Sequence, residues 1–157
     1  MKIKNLQSII RFFCYFRCVI DCTEFEIEST TNYTCQGNIF SQYKHRTTAK
    51  VLIATNPNGA AIFVSDAFEG CITDPSIVQK SGFLNFIEEG DLVLADRGFG
   101  SIDEMLARKK GNLLMPAFLK GRDKLPVDEE AETKIIARAI RFNVLNWCAK
   151  RGKSAHG

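Results

Sequence analysis

The sequence of 157 residues lacks the cysteine patterns that mark structural zinc sites. It has six cysteines, but no two form a CxxC pair, and its two histidines do not stand at zinc-finger spacing from them. Cys14, Cys18 and Cys22 recur at every fourth residue, a spacing that could place metal ligands on one face of a helix. However, Cys18 and Cys22 flank an apolar run typical of a strand, and free cysteine is a common core residue. We therefore expect reduced thiols and an intracellular location, in the nucleus or the cytoplasm.

Long apolar runs without charges are also missing. Residues 1–17 are the stretch that most resembles a targeting signal, because they are apolar and basic. Arg11 and Arg17 interrupt the apolar run, no small-residue cleavage site follows it, and it is too short to cross a bilayer. We interpret residues 1–17 as an N-terminal remnant of preceding sequence and expect no membrane segment. No internal repeat is visible, and the length suits a single domain, residues 18–157.

The chain has no strong excess of either charge. A net charge of +3 permits contact with nucleic acid but does not by itself indicate it. A content of 45% hydrophobic and 25% charged residues is typical of a globular protein. Short basic runs, each more typical of a solvated surface, occur at Tyr43–Arg46, Arg108–Lys110, Lys120–Lys124 and Arg151–Lys153.

Two apolar runs that end in an aspartate are the most informative positive feature. One ends in Asp21 and the other in Asp96, and both have the composition of buried central strands. An ionised carboxylate at a strand end costs free energy unless it is paired or binds a metal ion. The residues alone leave several roles open: two halves of a divalent-metal site, a strand-end cap or ion pair for Asp21, and a pair with Arg97 for Asp96.

The remaining pattern predicts alternating strands and helices. AKVLIAT and AAIFVS flank the turn NPNG, which predicts a β-hairpin. One helix is predicted to begin at Asp74 as N-cap, a second at Ser101 as N-cap, and a third to run from near Asp128 through Cys148. The expected order is three strands, helix, strand, helix, strand and helix, which a mixed sheet with helices against its faces would satisfy.

Several blocks of residues resemble a known family from about Cys18 to about Ala139. They are VIDCTEFEIE, SQYKHRTTAKVLIATNPNGAAIFVSDAFEGCITDPSIVQKSGFL, GDLVLADRGF, MPAFLKG and EAETKIIARA. In this order and spacing the chain resembles the catalytic domain of Harbinger-type DDE transposases, which belong to the DDE endonuclease superfamily. The resemblance implies an α/β, ribonuclease-H-like fold, with a mixed sheet flanked by helices and an atypical last helix.

The resemblance also implies a catalytic metal site. DDE enzymes cleave DNA phosphodiester bonds with divalent ions, Mg2+ or Mn2+, held by carboxylates. Asp21 and Asp96 match the first and second of these metal-binding catalytic residues. DNA is the implied partner and a transposase-type protein is a second expected partner, while the oligomeric state is left open. Asp74 matches a recurrent family aspartate, but we interpret it as the N-cap of its helix.

The third carboxylate of the family is missing from its place on the last helix. The family pattern is Arg-x3-Glu-x6-Lys, and Leu145 takes the position of the glutamate. Glu132 has a spacing from Asp96 like that of other DDE enzymes, but between Glu132 and Leu145 a helix advances roughly 20 Å and turns to a different face. We therefore do not expect Glu129, Glu130 or Glu132 to reach the metal ions, and we interpret the C-terminus as truncated or degenerate.

Two functions follow from this pattern. The first is a transposase-derived nuclease domain that keeps the aspartate pair and binds a divalent metal ion. The alternative is a catalytically inactive transposase remnant, or a domesticated module that binds DNA or protein. The sequence does not decide whether the chain is an active enzyme, and metal-dependent nicking of supercoiled plasmid is the measurement that separates the two.

Overall fold

The structure is a computed structural model that describes residues 16–27, 40–41, 46–117, 125 and 127–152. Most of the expected N-terminal remnant, residues 1–15, lies outside the described residues, as do residues 43–45 and 120–124 of two basic runs. Cys18, Cys22 and Cys71 are free thiols.

A mixed β-sheet forms the centre of the fold. Its strand order is β2-β3-β1-β6-β7, and β4 and β5 also pair with β3. β1 is antiparallel to β3 and parallel to β6, and β6 is parallel to β7. The strands are β1 (Phe16–Glu26), β2 (Phe40–Ser41), β3 (Arg46–Thr55), β4 (Ala61–Val64), β5 (Phe68–Glu69), β6 (Leu92–Leu94) and β7 (Asn112–Leu114).

Two short α-helices and one long α-helix accompany the sheet. They are α1 (Asp74–Lys80), α2 (Asp103–Arg108) and α3 (Val127–Gly152), and 3-10 helices lie at Phe83–Asn85 and Arg97–Ile102. None of the helices formed by the described residues is both long enough and apolar enough to cross a membrane. The predicted order of strands and helices is confirmed, with the two-residue strands β2 and β5 as additions.

Side-chain alternation along β1 separates two apolar clusters. Cys18 and Ile20 pack on one side with residues of α1, α2 and the 3-10 helices. Val19 packs on the other side with Ile136 and Ala139 of α3. Because successive side chains of a strand point to opposite faces, the two clusters cover the two faces of the sheet. The α/β class predicted from the sequence, a mixed sheet flanked by helices, is confirmed.

Two predicted helix starts are wrong. The N-cap of α1 is Thr73, so Asp74 lies in the first helical turn, and its side chain forms an ion pair with Lys50. The N-cap of α2 is Ile102, because Ser101 already belongs to the preceding 3-10 helix. In the first case a distant cation competes for the carboxylate, and in the second the chain becomes helical earlier than the capping residue suggests.

Candidate metal site between β1 and the end of β6

Asp21 lies in the middle of β1, which continues to Glu26, so the prediction that Asp21 ends its strand is wrong. Asp96 lies two residues beyond the last residue of β6, and the candidate site is at the edge of the sheet where β6 ends. β1 and β6 are parallel neighbours, and Val19 pairs with Leu94 in register. Asp21 follows Val19 by two residues, and Asp96 follows Leu94 by two residues, so the aspartates occupy matching positions. The charge of Asp96 acts on Asp21. The fold therefore makes neighbours of the two residues that the sequence singles out.

A backbone N–H group holds one oxygen of each carboxylate. Oδ1 of Asp21 accepts a hydrogen bond of 2.9 Å from the amide of Cys22. Oδ1 of Asp96 accepts one of 2.9 Å from the amide of Gly98 and thereby caps the 3-10 helix that follows β6. Within the described part of the chain, no residue donates to the second oxygen of either carboxylate. Both aspartates therefore keep an oxygen for a further ligand.

Burial makes the charge of Asp21 costly. Burial raises the pKa of Asp21 from 3.8 to about 6, the nearby charges of Asp96 and Asp74 raise it as well, and the hydrogen bond from Cys22 lowers it. A carboxylate that is desolvated and faces like charges gains from a bound cation. This electrostatic environment is the one expected where a divalent ion is to be held.

Asp74 is a third carboxylate close to this edge, and the sequence interpretation misplaced it. A Cβ built on Gly98 would lie 3.1 Å from Oδ1 of Asp96 and 3.4 Å from Oδ2 of Asp74. The two carboxylates therefore approach each other across this glycine. The lone lysine of the apolar strand β3, Lys50, is the sequence signal that could have revealed the need for an acidic partner, which Asp74 supplies.

Gly98→Ala is expected to weaken binding of Mn2+ by about 10-fold, the lower end of the effect typical of residues that support metal ligands. The added methyl group would stand closer to Oδ1 of Asp96 than ordinary contact allows and would displace the carboxylate. Gly100→Ala is the matched control, because its Cβ would meet only Cε of Met115 at an ordinary 3.8 Å. Isothermal titration of both variants measures the effect, and equal affinities for Mn2+ would contradict this geometry.

Helix α3 begins near the same edge. The guanidinium of Arg97 donates a hydrogen bond of 2.6 Å to the carbonyl of Ala117, and the amide of Ala117 donates one of 3.1 Å to Oγ1 of Thr133. Arg97 follows Asp96 directly, so these bonds connect the candidate site to the first turns of α3. The early part of the helix is thus tied to the loop that carries Asp96.

No third ligand completes the aspartate pair among the residues that the structure describes. No set of three or more His, Cys, Asp or Glu side chains there is arranged to hold a metal ion, and this includes Glu129, Glu130 and Glu132. The backbone of α3 is helical at Leu145, whose side chain lies outside the described residues. Among the described residues, the candidate site therefore consists of the pair Asp21 and Asp96.

Oxygen ligands suit this position better than sulfur ligands. Burial raises the pKa of the Cys18 thiol to about 12. The pKa of the Cys22 thiol is also raised, mainly by burial and to a smaller extent by the negative charge of Asp74. Both thiols therefore keep their protons in the metal-free chain, and a metal ion would have to displace a proton to bind either sulfur. Two carboxylates, each with an oxygen that no described residue binds, fit Mg2+ or Mn2+, which prefer oxygen donors.

Comparison with known proteins identifies a family for most of the chain. A family model described as DDE superfamily endonuclease matches residues 20–153. The match includes β1 from Ile20 onward with Asp21, the loop with Asp96, and α3 through its last residue. No curated protein and no solved structure matches the chain significantly.

Proposed function

This chain belongs to the DDE superfamily endonucleases, and from this we propose that it is a transposase-derived nuclease domain that binds Mg2+ or Mn2+ through Asp21 and Asp96 and engages DNA. The placement of Asp21 on β1 and of Asp96 two residues beyond β6, its parallel neighbour, carries the proposal. We further propose a Harbinger-type relationship on the motif words, with the domain spanning residues 18–157.

The chain itself would contribute anchored, partly desolvated negative charge. The amides of Cys22 and Gly98 each fix one carboxylate oxygen, so that Asp21 and Asp96 are oriented before a ligand arrives. Burial around Asp21 lowers the local dielectric and strengthens its attraction for a cation. In nucleases of this class, bound divalent ions activate water and stabilise the leaving oxygen of the phosphodiester.

The combined substitution Asp21→Ala and Asp96→Ala is expected to abolish binding of Mn2+. The wild-type chain is expected to bind weakly, with a dissociation constant on the order of 0.1–1 mM, because two carboxylates supply few ligands. Water-proton relaxation or calorimetry on the full chain measures both affinities.

Asp66→Asn provides the control for this experiment, because Asp66 is an exposed carboxylate on the segment between β4 and β5. It should leave the affinity for Mn2+ unchanged. If the doubly substituted chain binds Mn2+ as tightly as the wild type does, the assignment of Asp21 and Asp96 is wrong.

A second candidate function is a catalytically inactive remnant or a domesticated module that binds DNA or a transposase-type protein. One observation favours it: the described residues supply no third carboxylate beside Asp21 and Asp96, and Leu145 stands at the family glutamate position. We propose that the last helix is degenerate at this position. Metal binding without strand cleavage is the behaviour expected of such a module.

A further inference from the structure

Asp74 is the charged group that approaches the aspartate pair without belonging to either strand. Its Oδ2 lies beside Gly98, next to Oδ1 of Asp96, and its charge acts on Asp21. Its side chain also hydrogen-bonds with Cys22, the residue that follows Asp21. Asp74 therefore contacts the segments that hold both proposed metal ligands.

Lys50 holds Asp74 in this place. The Lys50 side chain is only 13% exposed, and Nζ lies 3.2 Å from Oδ1 of Asp74 and 3.6 Å from Oε1 of Glu24. Nζ also donates a hydrogen bond of 2.9 Å to the carbonyl of Ile72, just before α1. The ammonium group of Lys50, on β3, thus connects the start of α1 with Glu24 of β1. The two carboxylates of Glu24 and Asp74 share this one positive charge.

This arrangement leaves net negative charge near the proposed metal site. Lys50 divides its charge between Glu24 and Asp74, so it offsets only part of the charge of Asp74. Because these side chains are largely buried, their interactions are screened less than those of surface charges. The charge of Asp74 can therefore influence a cation bound to Asp21 and Asp96 without coordinating it.

We propose that Asp74 is a positioning residue that supplies a third, non-coordinating negative charge to the metal site, and that Lys50 sets the strength of this charge. The inference rests on the proposed function, since it requires a cation at Asp21 and Asp96. It makes Lys50 and Asp74, the two partners of one ion pair, act on metal affinity in opposite directions.

The test compares the affinity for Mn2+ of Asp74→Asn and Lys50→Met in the full chain. Asp74→Asn should weaken binding by about 10-fold, and Lys50→Met should tighten it several-fold, because removal of a nearby cation makes the site more negative. Lys50→Arg, which keeps the charge, should bind like the wild type. A merely structural role predicts that Asp74→Asn and Lys50→Met weaken binding alike.

An exposed ion pair supplies matched controls. Nζ of Lys110 lies 2.9 Å from Oε2 of Glu89, and both side chains are about 70% exposed. Glu89→Gln and Lys110→Met remove the same charges, yet both should leave the affinity within about twofold of the wild type, because exposed charges are screened. This comparison separates a local effect from a change in net charge.

Each result decides the proposal. An affinity of Asp74→Asn within about twofold of the wild type, or weaker binding by Lys50→Met, overturns it. If Lys50→Met does not fold, the decision passes to Lys50→Gln, which also removes the positive charge, and weaker binding of Mn2+ by that variant overturns the proposal. If the wild type does not bind Mn2+, or if its binding survives loss of Asp21 and Asp96, the proposed function itself fails and the inference falls with it.

Discussion

Asp21→Asn is expected to raise the free energy of unfolding by about 2–3 kcal/mol at about pH 7.5 in the absence of metal. Burial raises the pKa of Asp21 to about 6 from 3.8, so the folded chain disfavours the ionised carboxylate. Each pKa unit corresponds to about 1.4 kcal/mol between the folded and unfolded states. Asparagine has nearly the same shape and retains an oxygen that can accept the hydrogen bond from Cys22.

The pH dependence of this effect has a defined sign. Because folding raises the pKa of Asp21, the stabilising contribution is fully present below about pH 4, where both states are protonated, and is lost as the pH rises through about 6. The gain in stability from Asp21→Asn should therefore be small at about pH 4 and reach its full size above about pH 7.

Chemical denaturation of both proteins between about pH 4 and 8, with a chelator present, measures this difference. Asp66→Asn is the control, because an exposed carboxylate should not change stability in this way. Added Mn2+ should stabilise the wild type but not Asp21→Asn. A substituted chain that is equally stable or less stable than the wild type at high pH would show that the charge of Asp21 carries no such penalty.

Strand cleavage is expected to be absent or very slow, at least about 1000-fold below that of a complete three-carboxylate site. The physical reason is that a missing ligand leaves the second divalent ion poorly placed, at a cost of several kcal/mol in the transition state. The described residues supply only Asp21 and Asp96 for this role. Incubation of supercoiled plasmid with the chain and Mg2+ or Mn2+, followed by gel electrophoresis, measures the rate.

Asp96→Asn distinguishes genuine cleavage from contamination in this assay. Nicking that requires metal and disappears with Asp96→Asn would contradict the expectation and establish the chain as an active nuclease. Nicking that persists in Asp96→Asn would come from another source. Binding of labelled DNA without nicking would instead favour the inactive, DNA-binding alternative.

Much of the candidate site follows from local sequence. Apolar runs ending in Asp21 and Asp96 predict two buried strands, and the structure contains β1 and β6 there. Asp96 follows the end of β6 as predicted, whereas β1 continues beyond Asp21 to Glu26. Strand and helix patterns depend on neighbours within a few residues, so they can be recognised without knowledge of the fold. The order of motifs also indicated the family that the comparison with known proteins supports.

The position of Asp74 shows where local patterns fail. Its place before Pro75 predicts an N-cap, but Thr73 takes that position and Asp74 pairs with Lys50, which is 24 residues distant in sequence. The first residues of α2 were misjudged for a related reason, since Asp96 initiates helical structure before Ser101 is reached. The strength of an ion pair or hydrogen bond depends on the distance between its partners and on their burial, and neither can be read from the sequence.

The sequence by itself determined the main strands, the two aspartates that follow apolar runs and the lack of a glutamate at Leu145, because these are properties of residue type and spacing. Only the tertiary structure decided that β1 and β6 are adjacent, parallel and in a register that places Asp21 beside Asp96. It also decided that Asp74, Lys50 and Gly98 meet beneath that pair. The reason is that the electrostatic energy of a carboxylate depends on charges and solvent around it in space, and these are set by residues far apart along the chain.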